Sequence, residues 1–141
     1  MSSIPFPLEF VIQATPISSA GSSEARERWE RIVGEHARKR LAGLVDWYWL
    51  DDRVTSVTIL YFPIAAMQGD IDNIVKPILD GMNSVVYPDD KIVERVLVQR
   101  FEPGVPWSFS GVTSQLGRAL DTQRPVVYIR VDDDLGWRQF G

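Results

Sequence analysis

The sequence predicts one α/β (α+β) domain: a mixed β-sheet packed against helices, in the order β-α-β-α-β-α-β. Three observations carry that prediction. Short β-prone stretches alternate along the chain with segments of helical apolar periodicity. The 141 residues are 45% hydrophobic and 24% charged, the range of ordinary globular chains, and can bury one core. No internal repeat or linker-like stretch divides the chain, so residues 1–141 read as a single domain.

Taken in order, Leu8–Gln13 alternates apolar and polar residues as a half-buried strand does. Ala14–Ser23, rich in serine and threonine with Pro16 and Gly21, is a loop. Ser22 or Ser23 caps a helix over about Glu24–Leu44, whose stripe is Trp29, Ile32, Val33, Ala37, Leu41 and Leu44. Its densest basic run, Arg38-Lys39-Arg40, is the first candidate for a DNA phosphate contact; the competing reading is the basic end of a helix. Asp46–Leu50 is aromatic-rich and reads as a core or subunit-contact cluster, with stacking on opened bases as the alternative. Arg53–Phe62 is apolar on both faces and belongs centrally in the sheet, followed by a loop over Pro63–Gly69. Lys91–Phe101 is a further strand, Pro103–Gly111 a loop bearing Trp107 and Phe109, and Val112–Leu120 a short helix. Pro125–Val131 is the last strand, before an acidic tail opening with Asp132–Asp134.

Composition excludes several chemistries. Without cysteine there is no disulfide, thiol nucleophile or cysteine-held zinc, and one histidine, His36, cannot make a multi-histidine site. No apolar run approaches a membrane span and the N-terminus lacks a signal peptide's basic start, so a cytoplasmic protein with no membrane partner is expected. The net charge of −4 is unusual for a DNA-binding domain. Its excess lies in residues 51–110, where five Lys/Arg meet nine Asp/Glu.

That acidic segment is where chemistry concentrates. Gly69–Ile92 holds two acid pairs, Asp70/Asp72 and Asp89/Asp90, with a helical pattern between them. On extended backbone Asp70 and Asp72 project from one face. Asp72, Lys76, Asp80 and Asn83 then form a polar helix face, opposite Ile74, Ile78 and Met82. Asn73 is placed to cap that helix, and Pro77 falls near its first turn. Tyr87-Pro88 turns the chain and delivers Asp89 and Asp90 to the mouth of the next strand. Carboxylates this crowded repel unless a cation neutralises them, and Mg²⁺ is the usual hard-oxygen partner. A lysine beside them suits phosphodiester hydrolysis. The plain alternative is a solvated helix face with an Asp72–Lys76–Asp80 salt-bridge ladder.

The segment resembles the RusA family of Holliday-junction resolvases, whose signature runs Asp-x-Asp-Asn-x-x-Lys, Leu-Asp-Ala-Leu, then an aromatic shortly before Asp-Asp. Here these stand as Asp70–Lys76, Leu79–Met82 and Tyr87–Asp90. The resemblance implies that Asp70, Asp72, Lys76 and Asp90 are catalytic. Asp70, Asp72 and Asp90 would hold one or two Mg²⁺ ions, with Asn73 and Asp89 as supporting residues. It also implies a homodimer that nicks branched DNA at four-way junctions. The family's basic residues after Pro-x-Ser are missing: Pro16-Ile17-Ser18 is followed by no Lys or Arg until Arg26. That departure keeps two alternatives open, a DNA-structure-binding protein without catalysis and a small Mg²⁺-dependent phosphohydrolase.

Overall fold

Ser2–Ser3 (β1) begins the computed structural model, which describes residues 2–140. Leu8–Ile12 (β2) leads to the long helix Ser23–Ala42 (α1), and Tyr48–Trp49 (β3) precedes Thr55–Phe62 (β4). A 3₁₀ turn over Ile71–Ile74 runs directly into Val75–Gly81 (α2). Val93–Arg100 (β5), Ser114–Asp121 (α3) and Val126–Asp132 (β6) complete the domain.

Four strands form one sheet in the order β2-β6-β4-β5. β4 and β5 run parallel while β6 is antiparallel to both β2 and β4, the mixed sheet expected from the sequence. β4 is internal, as its two apolar faces require. β1 and β3 pair parallel as a separate two-stranded piece. That pairing gives Tyr48–Trp49 a place: Tyr48 and Leu50 pack on the core, while Trp47 and Trp49 stay 53% and 42% exposed.

The main core lies on one sheet face, where Trp29, Val33, Ala37 and Leu41 of α1 and Ile78 of α2 meet Phe10, Val57, Ile59 and Ile129. On the other face α3 covers a smaller cluster of Val11, Leu60, Phe62, Phe101 and Val126 through Ala119. Ser22 accepts from the Ala25 N–H at 3.2 Å and caps α1 as its sequence demands. The two helices of the main face cross glycine to glycine. A Cβ on Gly81 would sit 2.8 Å from Val33 Cβ and 2.9 Å from the Glu30 carbonyl oxygen, so only glycine allows this approach. No helix among the described residues is long and apolar enough to cross a membrane.

Two local expectations are corrected. Asn73 does not cap the helix: it lies inside the 3₁₀ turn, and its carbonyl accepts the Ser19 N–H at 2.7 Å. Asp70 and Asp72 do not share extended backbone either, since Asp70 is extended (φ −92, ψ 144) and Asp72 is already in the turn.

Candidate active site

β4 ends at Phe62, and the loop 63–69 carries the chain across to Asp70. Gly69 adopts φ +80 with open space around it, so conformation, not crowding, calls for glycine. The loop is pinned at both ends. Arg124 donates to the carbonyl oxygens of Pro63 and Phe101, at 3.1 and 2.5 Å. Glu102, just past β5, accepts the Met67 N–H at 3.2 Å and pairs with Arg100 at the same distance. Thr15, Ser18, Tyr61 and Met67 share with Asp70 an open cleft of about 270 Å³. The serine loop therefore borders the candidate site, as the resemblance implies, though it does so with hydroxyls.

Asp70 and Asp72 are both exposed. One turn further on, the Lys76 ammonium donates to Asp90 Oδ2 at 2.5 Å and lies 2.9 Å from Asp80 Oδ1. The hydrogen bonds to Asp90 and then Asp80 raise its pKa well above the ordinary lysine value, so the amine stays charged. Asp90 arrives through a second local device. Asp89 is extended and accepts the Lys91 N–H at 3.0 Å, capping the turn Asp90–Ile92 that opens β5. This backbone bond, foremost, lowers the pKa of Asp89. The pair is thus divided: Asp89 shapes the turn, and Asp90, 15% exposed, faces Lys76. Beneath them Tyr87 is buried and donates its hydroxyl to the Leu79 carbonyl at 2.8 Å, tying the end of α2 to the acid-bearing turn. Burial first, then Asp90, Asp80 and Asp89, push the Tyr87 pKa up.

Beyond Asp80, a cleft of about 380 Å³ between α1 and α2 is lined by Glu27, Glu30, Arg38 and Asn83 among others. Burial and the neighbouring Asp80 raise the pKa of Glu30. The Arg38-Lys39-Arg40 run does not act as one unit. Arg38 borders this cleft, Lys39 is exposed, and Arg40 donates Nε to the Glu9 carbonyl at 3.0 Å. His36 bonds through Nδ1 to the Ile32 carbonyl oxygen at 2.8 Å, a contact within its own helix.

The available ligands are carboxylate oxygens throughout, the donor chemistry of a hard divalent cation. Among the described residues no three acids or histidines gather into a ready cage. Mg²⁺ is commonly held by one or two carboxylates and completed by water and substrate phosphate, so this donor set fits it. Asp70, Asp72 and Asp90 are the carboxylates that the resemblance assigns to it, and the structure does not gather the three around one point.

A family model for endodeoxyribonuclease RusA matches residues 18–107, from the serine loop through the site to Trp107. The chain belongs to the RusA family. RusA enzymes are endodeoxyribonucleases, so the chain is a hydrolase of DNA phosphodiester bonds. The matched span contains every candidate site residue, while β6 and the tail lie beyond it. No curated protein matches the chain. The sequence alone does not single out the contacts that Asp80, Tyr87 and Glu102 make at this candidate site. Asp80 stood in the polar-face pattern and Tyr87 in the signature, but the Glu102–Met67 hydrogen bond spans 35 residues and left no local signal.

Proposed function

We propose that this RusA-family protein is a Mg²⁺-dependent endonuclease that nicks four-way DNA junctions, acting as a homodimer. The observation that carries the reading is the Lys76–Asp90 contact, which joins two parts of the signature 14 residues apart. A ladder confined to α2 would not need Asp90, so the plain salt-bridge reading loses ground.

Asp70, Asp72 and Asp90 would hold one or two ions. When bound, Mg²⁺ supplies positive charge against the phosphate and makes water a stronger nucleophile. An ammonium has three N–H donors; Asp80 and Asp90 occupy two on Lys76, leaving one for a phosphate oxygen. Charge that grows on that oxygen in the transition state meets a fixed cation there. Asp80 and Asp90 aim the lysine, Asp89 and Tyr87 hold Asp90, and the Ser19–Asn73 bond holds the turn carrying Asp72. A two-fold enzyme suits a two-fold junction, because resolution takes two matched nicks.

The test is nicking of a synthetic four-way junction beside linear duplex DNA and a small chromogenic phosphodiester. The reading expects junction nicking that requires Mg²⁺ and stops with chelator. Hydrolysis of the small ester with the junction untouched would support the phosphohydrolase reading instead. Tight junction binding without nicking would support the binding-protein reading.

A further inference from the structure

We propose that the aromatic pocket beside the 102–111 loop is a subsite for one unstacked nucleobase of the DNA substrate, with Trp107 as its stacking platform. The pocket, of about 210 Å³, belongs to the sheet face opposite α1 and α2, and its lining includes Phe62, Phe101, Trp107, Phe109, Leu120 and Arg124. Phe101 is the hub. It stacks on Phe62 with ring centres 4.7 Å apart, meets Phe109 at 5.2 Å and takes Trp107 edge-on at 4.7 Å. Trp107 is therefore held in place, yet it stays 45% exposed, and Val105 on the same pocket is 50% exposed. A satellite core would be closed over. This cluster instead keeps an opening with a fixed indole beside it, which offers stacking area at little entropic cost.

Space, charge and position together select the occupant. An apolar cavity of about 150 Å³ takes benzene, so this pocket suits one somewhat larger flat ring, not a helix or a strand. Among the described residues that line it Arg124 is the sole charged one, so a polyanion meets no carboxylate there. Both hydrogen bonds of Arg124, to the carbonyl oxygens of Pro63 and Phe101, use Nη1. The rest of its donor fork can serve a base's ring nitrogen or carbonyl oxygen. Pro63 also lines the Asp70 cleft, so the pocket and the candidate active site share a wall. A base that leaves its helix loses its stacking, and an aromatic ring restores it whichever base it is. Phe109, Leu120 and Arg124 lie beyond the matched span, so the subsite belongs to this chain and not to the family signature. It takes its ligand from the proposed junction reading and rests on it, but it is read through binding alone.

A gel-shift titration with a synthetic four-way junction, in chelator so that nothing is cut, tests the subsite. Each junction of a set carries one abasic nucleotide, scanned through both sides of the crossover. At one position the abasic junction should bind wild type roughly fivefold to a hundredfold more weakly than the intact one, the loss expected for one stacked base. Trp107→Ala should lose as much on the intact junction and nothing further on that abasic one, while Trp107→Phe keeps a ring and should bind nearly as wild type does. A melting curve shows whether Trp107→Ala is folded; if it is not, the abasic scan of wild type still decides. Equal binding of every abasic junction overturns the subsite, as do losses from Trp107→Ala and the abasic position that multiply independently. A fall in mass by light scattering for Trp107→Ala would make the patch a contact between copies, and the proposal would fall. An absent sensitive position in a protein that nicks junctions normally sinks the subsite alone. A sensitive position in a protein that nicks nothing in Mg²⁺ leaves the subsite standing and sinks the nuclease reading.

Discussion

Lys76 holds two carboxylates with one ammonium, and its removal should separate stability from catalysis. Lys76→Ala leaves Asp80 and Asp90 without their shared cation, yet the lysine is 61% exposed. Solvent screening limits the loss to about 0.2–1 kcal/mol per pair. Cleavage should fall far more than junction binding if, as proposed, the remaining N–H donor acts on charge present only in the transition state. Single-turnover cleavage beside a gel-shift titration separates the two, and equal losses would make Lys76 a docking residue. The sign of the pH dependence is also fixed. A raised lysine pKa keeps the ion pairs intact below the ordinary value of 10.5, and they are lost only as pH rises through the still higher folded value. The melting difference between wild type and Lys76→Ala should therefore stay flat from about pH 7 to 10. A difference that vanished by about pH 9 would contradict the assignment.

Among elements, the α1–α2 crossing sets where Lys76 and Asp80 stand. Gly81→Ala would place a Cβ against Val33 and the Glu30 carbonyl, at a cost of about 1–3 kcal/mol from overpacking. Melting temperature should drop and cleavage with it, as α2 is pushed off α1; an unchanged melting point would mean that the crossing is loose. α1 makes a second prediction. Arg40 is committed to the β2 backbone, so Arg40→Ala should lower stability, while Arg38 and Lys39 remain the candidates for DNA. If they bind phosphates, Arg38→Ala with Lys39→Ala should flatten the slope of log K against log salt by about 0.9 for each phosphate no longer neutralised. An unchanged slope moves the search to Arg95 and the serine loop. The elements themselves are legible in the sequence because each carries its own period: the Trp29–Leu41 part of the α1 stripe, the Ile74–Met82 face and the β4 run lie where expected, whereas Leu44, expected on that stripe, falls past the helix end and is 42% exposed. What was not legible depends on distant partners. Helix-cap propensity points to Asn73, but Asn73 lies inside a 3₁₀ turn and its carbonyl accepts the N–H of Ser19, 54 residues away. Glu102 under the 63–69 loop and Glu94 under the tail likewise bond to residues far along the chain.

For the whole molecule, the acidic segment that made a DNA partner look improbable is the same segment that holds the site, and bound cations would offset it locally. Crowding of the acids is less than the sequence suggested. Asp70 and Asp72 are exposed and Asp90 is neutralised by Lys76, so Asp70→Asn and Asp72→Asn should leave the melting temperature unchanged. Asp90→Asn should lower it slightly, through loss of the ion pair with the 61% exposed Lys76. These variants also permit the most direct measurement: single-turnover nicking of a synthetic four-way junction in Mg²⁺, with protein saturating the DNA. Wild type should nick, and each of Asp70→Asn, Asp72→Asn and Asp90→Asn should lose at least roughly a hundredfold in rate while still binding the junction. Wild-type rates in all three would contradict the account.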